Sequence, residues 1–187
     1  NNATPILGVI GSIEPRKGHL VLIKAIKKLA AKDYPNIHLI IVGDGPDESL
    51  LKKKVEELRL EEHISFFPFT SEPNFVFERI DVTVLPSLYK EGLPNVLLES
   101  MAMKVPAVSS DLGGVPEVVI EGETGYLVEP GNHNELAAKI KKIWSNQDLY
   151  QSMRKNARHL IEKKFNKMVQ FDKYKDYFFH VLNQSDE

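Results

Sequence analysis

The sequence has no cysteine. That excludes a disulfide scaffold, a Cys-ligated zinc site and a thiol nucleophile together, and it fits a reducing cytosol. It also lacks any surplus of positive charge. Lys and Arg number 24 against 26 Asp and Glu, a formal net charge of −2, and no basic run marks a nucleic-acid surface. No apolar run approaches the ~18 residues that span a bilayer. Asp-x-Asp is missing, and the histidines at 19, 38, 63, 133, 159 and 180 share no helix face at ligand spacing. Each therefore reads as satisfied or solvated, and a divalent metal has no obvious seat. What remains is an ordinary globular composition: 187 residues, 42% hydrophobic and 27% charged, enough for one core. The first residue is Asn1 rather than methionine, so the expectation is a piece of a larger chain.

Apolar runs alternate with helical patterns. Strands are predicted at 5–10, 37–42, 64–67, 82–85, 105–108 and 125–128, each stopped by Gly, Pro or a polar cluster. Between them, Leu22, Ile26 and Leu29 recur at helical spacing, with Lys24, Lys27 and Lys28 opposite. Further helices are predicted at 48–58, around 71–79, at 94–103 and at 115–120. Strand–helix alternation without hairpin turns predicts a doubly wound parallel sheet, Rossmann-like, covered on both faces. Residues 1–187 form one domain, with a helical tail from about 132 to 187 in three stretches: 132–145, 148–164 and 166–183. Asn132 with Glu135 suits an N-cap pair. Phe171, Tyr174, Phe178 and Val181 make a stripe that reads as core or interface rather than a cofactor box.

Ligands of open parallel sheets bind beyond the carboxyl ends of the strands, so three loops there matter: 11–18, 86–95 and 111–117. The first sets Lys17 beside Gly18 at a helix start. It is no P-loop, because Gly-Lys-Ser/Thr is absent, yet a lysine with free amides and a helix dipole suits phosphate. Gly43-Asp44-Gly45 follows the second strand and has Glu48 where a dinucleotide fingerprint needs glycine, so it reads as a tight turn. In the second loop, Pro94 suits a first helical position. Glu91 lies just before the helix. Glu99 lies inside it beside Leu98, Met101 and Ala102, where a partly buried carboxylate would need a hydrogen-bonding partner.

Glu91 and Glu99 stand in an E-x7-E pattern within Glu-Gly-Leu-Pro-Asn-Val-Leu-Leu-Glu-Ser-Met. This closely resembles retaining glycosyltransferases of family 4, which have the two-domain GT-B fold. The resemblance runs nearly the whole chain. Residues 11–18 resemble the family's G-R-x-x-x-x-K-G loop, 40–46 its second strand and turn, 110–117 its S-D-x-G-G-x-P-E segment, and 122–131 its G-x-x-G-x-L-V-x-P-G.

The resemblance implies the C-terminal, donor-binding half of a GT-B enzyme, whose N-terminal half binds the acceptor, a glycan or lipid-linked sugar. Lys17 then pairs with the donor diphosphate and stabilises the leaving group. Glu99 accepts from the ribose hydroxyls, and Glu91 faces the transferred hexose. Amides of Gly92, Leu93, Asn95 and Val96 face phosphates and sugar, and Gly11, Ser12 and Arg16 line the first loop. Base selectivity falls to loops such as 67–70. No cofactor or metal is implied, so lysine and the helix dipole offset the leaving-group charge. The implied place is the cytoplasm, with room for peripheral association at the inner face of the membrane through the other half. One departure stands out: the arginine usual after the first glycine is Ser12 here. It leaves open a module that binds a nucleotide sugar without transferring it. A sugar-nucleotide epimerase of the same fold type fits less well, because its carboxylates do not have this spacing.

Overall fold

The six apolar runs become six strands of one parallel sheet: β1 (Ile6–Ile10), β2 (His38–Val42), β3 (Ile64–Phe67), β4 (Val82–Leu85), β5 (Ala107–Ser110) and β6 (Gly125–Val128). The computed structural model describes residues 4–184. The strand order is β3-β2-β1-β4-β5-β6. Seven helices are described: α1 (His19–Lys32), α2 (Glu48–Leu58), α3 (Asn74–Phe77), α4 (Asn95–Ala102), α5 (His133–Trp144), α6 (Gln147–Leu160) and α7 (Lys167–Gln184). This is the doubly wound architecture the alternation predicts. The first strand lies in the middle, and the order reverses between β1 and β4.

Helix α1 behaves as its pattern dictates. Leu22, Ile23, Ile26 and Leu29 are buried, while Lys24, Lys27 and Lys28 face water. Their neighbours on that side of the sheet come from α2 and α5, through Leu51, Val55, Leu136 and Ile140. A second cluster joins Leu85, Leu97, Met101, Val115 and Ala157, fixing α4 against β4 and α6. Burial of these side chains at ~25 cal/mol per Å² is the dominant favourable term. Asn132 caps α5 by accepting from the Glu135 N–H at 3.0 Å, as its spacing predicts. Glu135, however, accepts from the Glu129 N–H at 2.9 Å, so the cap is not reciprocal.

Several boundaries move. The fifth strand lies two residues later than predicted, at Ala107–Ser110. Pro106 has no N–H for the ladder, and the buried Ser109 and Ser110 belong to the strand. Ser109 is satisfied by donating to the Leu85 carbonyl at 3.1 Å. Pro94 stands just outside α4 with extended geometry (φ −74°, ψ 119°) rather than in its first turn. Residues 115–117 make a single tight turn, and α6 ends at Leu160 before a wider turn, Ile161–Phe165. In α7 the stripe of Phe171, Tyr174 and Phe178 is exposed, so it is not core. The last residues of the predicted tail, 185–187, lie outside the described residues.

Candidate functional site

The crevice where the strand order reverses is bounded by the loops leaving β1 and β4, the place where such sheets bind ligands. Glycines let the loops meet. Gly18 has φ +68°, and a Cβ there would stand 2.0 Å from the Pro86 carbonyl oxygen. Gly113 has φ +53°, and its Cβ would stand 1.8 Å from the Glu91 carbonyl oxygen. Backbone bonds complete the stitching: Leu88 N–H donates to the Arg16 carbonyl (2.8 Å), and Gly114 N–H to the Gly92 carbonyl (3.0 Å).

At this junction Lys17, Arg16 and Glu91 converge, although 74 and 75 residues separate them along the chain. One oxygen of Glu91, Oε1, accepts from Lys17 Nζ at 2.6 Å, from Ser87 Oγ at 2.5 Å and from Arg16 Nη1 at 3.4 Å. Arg16 Nη1 also donates to the Lys90 carbonyl at 3.0 Å, and its Nη2 donates to Glu14 at 2.7 Å. Ser12 Oγ donates to the same Glu14 oxygen at 2.9 Å. The Glu91 side chain is 7% exposed, against 18% for Lys17 and 27% for Arg16. A carboxylate so enclosed persists because it is paired and hydrogen-bonded. The Ser12 hydroxyl and the Arg16 guanidinium hold Glu14 below the usual carboxylate range.

The expected residues fall in two groups. Gly11, Ser12, Arg16, Lys17, Glu91, Gly92 and Leu93 lie on the two loops, and a Cβ on Gly11 or Gly92 would meet nothing within 4 Å. Asn95 and Val96 open α4. Because the Leu97 N–H is taken by the Pro94 carbonyl at 3.1 Å, these two are the helix amides left facing outward at that end.

Glu99 departs from expectation, because it is exposed rather than partly buried. Leu97, Ser100 and Met101 carry the buried face of α4. A residue two positions from Leu97 points to the other side of a helix. Ser87, Glu14 and the Lys90 carbonyl are partners that the sequence did not single out. Ser87 and Glu14 are local partners, four residues from Glu91 and two from Arg16, whereas the fold brings the Lys90 carbonyl to Arg16.

His19 corrects a second expectation. It is neither satisfied nor solvated: it is buried, and its Nε2 has no hydrogen-bonding partner among the described residues. Burial, reinforced by Lys17, pushes its imidazole down to about 4. The unfolded chain takes up this proton near 6.5, so between those values unfolding binds a proton and stability falls with pH. The contribution is intact above pH 6.5. It should be smaller by about 2 kcal/mol at pH 5 than at pH 7. Unfolding free energies of wild type and His19→Gln at both pH values check this, and parallel losses in the two proteins would refute it. His38 and His63 do have partners, the Ser65 hydroxyl and the Ile37 carbonyl, each at 2.9 Å.

Among the described residues no three His, Asp or Glu side chains lie close enough to hold a metal ion. No described helix is long and apolar enough to cross a membrane.

The fold, a six-stranded parallel sheet with helices, is the Rossmann-like one of GT-B glycosyltransferase structures. The family model described as glycosyl transferases group 1 matches residues 1–160, and the chain belongs to that family. The capsular polysaccharide biosynthesis glycosyltransferase CapM of Staphylococcus aureus is 28% identical over 182 residues, covering 97% of this chain and 47% of CapM. A mutant of S. aureus TarM, solved in complex with UDP, superposes with a TM-score of 0.85 at 26% identity, over 94% of this chain and 35% of TarM. The C-terminal domain of LpcC, a glycosyl transferase group 1 family protein of Francisella tularensis, gives a TM-score of 0.78 at 27% identity, over 87% of each chain. The chain thus spans less than half the length of CapM and matches most of an isolated C-terminal domain.

Proposed function

We propose that this chain is the donor-binding half of a retaining hexosyltransferase, acting with a second domain that presents a glycan or lipid-linked acceptor. The observation that carries the reading is the meeting of Lys17 and Arg16 with Glu91 at the crevice. Two cations beside outward amides suit a diphosphate, and a carboxylate beside them suits sugar hydroxyls. As the bond between the sugar's anomeric carbon and the diphosphate breaks, its electron pair passes to the phosphate oxygen, while the acceptor's hydroxyl oxygen bonds that carbon and its proton passes to the departing diphosphate. Lys17 and Arg16 offset that charge there, with the amides of Gly92, Leu93, Asn95 and Val96. Glu99, exposed on α4, accepts the ribose hydroxyls. The loop 67–70 faces an open groove of about 400 Å³ and serves the base. UDP is bound in the TarM complex, which supports a nucleoside diphosphate here.

The exposed rings of α7 support a second body, as does the match to a C-terminal domain. Transfer by this chain alone is not expected, and a cytoplasmic setting follows from the same reading. Ser12 favours one other reading, a module that binds the donor without transferring it. The geometry weighs against it, because Arg16 brings a second cation beside Lys17, onto the same Glu91 oxygen.

Calorimetric titration with UDP, GDP and ADP and their sugars tests the reading. One series should bind, and Glu99→Ala should weaken that whole series, sugar or no sugar, by ~1.5–3 kcal/mol. Binding of none of them, or no change on losing Glu99, would count against it.

A further inference from the structure

The cluster at the crevice is electrically closed. Arg16 and Lys17 supply two positive charges, while Glu14 and Glu91 supply two negative ones, and both cations are already engaged. Lys17 is 2.6 Å from Glu91, and Arg16 is 2.7 Å from Glu14 and 3.4 Å from Glu91. An anion arriving here meets no net positive field from these four side chains. It has to win the cations from a carboxylate that already holds them.

The same carboxylate is the most enclosed of these four groups, at 7% exposure. Once a diphosphate draws Lys17 and Arg16 away, only the Ser87 hydroxyl, 2.5 Å from Oε1, remains of its three donors. A buried carboxylate stripped of its cations is costly. The cost is relieved when other hydroxyls reach it, and a hexose brings several. A bare nucleoside diphosphate brings none at that end.

We infer that Glu91 is a resident counter-ion exchanged for the donor's diphosphate, and that it thereby discriminates sugar-bearing donor from bare nucleoside diphosphate. The inference rests on the donor-site reading. The complete donor takes the cations with its phosphates and satisfies Glu91 with its sugar. The product, having lost the sugar, leaves Glu91 stranded, and Glu91 recovers Lys17 and Arg16 as the product departs. If Glu91 only faced the hexose, as the resemblance implies, losing it would leave bare diphosphate binding almost unchanged. The ion pairs reverse that expectation, because removing the carboxylate charge frees both cations.

Titrations of inorganic pyrophosphate, of UDP, GDP and ADP, and of their glucose conjugates against wild type, Glu91→Gln and Ser87→Ala test the exchange. Glu91→Gln should bind pyrophosphate and the bare diphosphate at least tenfold more tightly, and the affinity ratio of sugar nucleotide to bare diphosphate should shrink by a similar factor. Ser87→Ala leaves the charges in place but removes the donor that remains to the displaced carboxylate, so it should weaken bare diphosphate binding severalfold. Unchanged or weaker binding by Glu91→Gln overturns the exchange, as does unchanged or tighter binding by Ser87→Ala. If pyrophosphate follows the expected pattern while no nucleotide binds either wild type or Glu91→Gln, the exchange stands and the nucleotide-sugar reading fails.

Discussion

Joined to an acceptor-binding domain, the Lys17→Met variant is expected to transfer sugar ~10²–10³ times more slowly than wild type at saturating donor. That is the usual cost of removing one preorganised group aimed at developing charge, ~3–4 kcal/mol. Methionine keeps much of the stem, so packing under the loop survives while the charge is lost. The effect belongs in turnover, because the leaving diphosphate carries more charge as the bond breaks than it does in the bound donor. Arg16 remains, held by Glu14 and the Lys90 carbonyl, and it limits the loss. Turnover within tenfold of wild type would remove Lys17 from the leaving-group role.

Gly113→Ala should have the largest effect on folding. The added methyl would stand 1.8 Å from the Glu91 carbonyl oxygen and 2.8 Å from its carbon, and both are backbone atoms. No side chain can swing aside, so the two loops have to separate. Overpacking of this kind costs ~1–3 kcal/mol, and a non-glycine residue in the left-handed region adds ~1–2. A total near ~3 kcal/mol corresponds to a fall of roughly 6–12 °C in melting temperature for a chain of this size. Gly92→Ala is the control. Nothing lies within 4 Å of its new methyl, and its backbone is not left-handed, so stability should stay within about 0.5 kcal/mol. Equal melting temperatures for Gly113→Ala and wild type would show that the loops do not depend on this contact.

Much of the fold is legible in the sequence because parallel sheets advertise themselves. Each strand is a short apolar run, and α1 carries its lysines on one side. Errors arise where polarity and burial part company. Ser109 and Ser110 look like loop, yet they are buried strand because the Leu85 carbonyl, across the β4–β5 pairing, takes the Ser109 hydroxyl. Glu99 looks enclosed when its sequence neighbours are taken for its surroundings, but on a helix those neighbours point elsewhere. His19 looks unremarkable until the fold seals it.

The site divides in the same way. Lys17, Glu91 and their loops are visible as motifs, whereas their mutual contact is not. That contact depends on β1 lying beside β4, a strand order that no local pattern encodes. Arg16 shows the limit most clearly. Adjacent loop residues commonly diverge, and here a tight turn at Pro15–Lys17 brings Arg16 and Lys17 onto one oxygen.

The seam between β1 and β4 also has a mechanical meaning. β1 pairs with β2 along five rungs, from Ile6 with His38 to Ile10 with Val42. With β4 it pairs along two, Leu7 with Val82 and Gly8 with Thr83. The crevice therefore opens above the more lightly laced of β1's two seams, and parting the strands there breaks fewer bonds than parting β1 from β2. Small shear along this line changes how far the β1 loop stands from the β4 loop while leaving each half of the sheet intact. The two loops that bound the crevice thus stand on opposite banks of the seam with the fewest paired residues in the sheet.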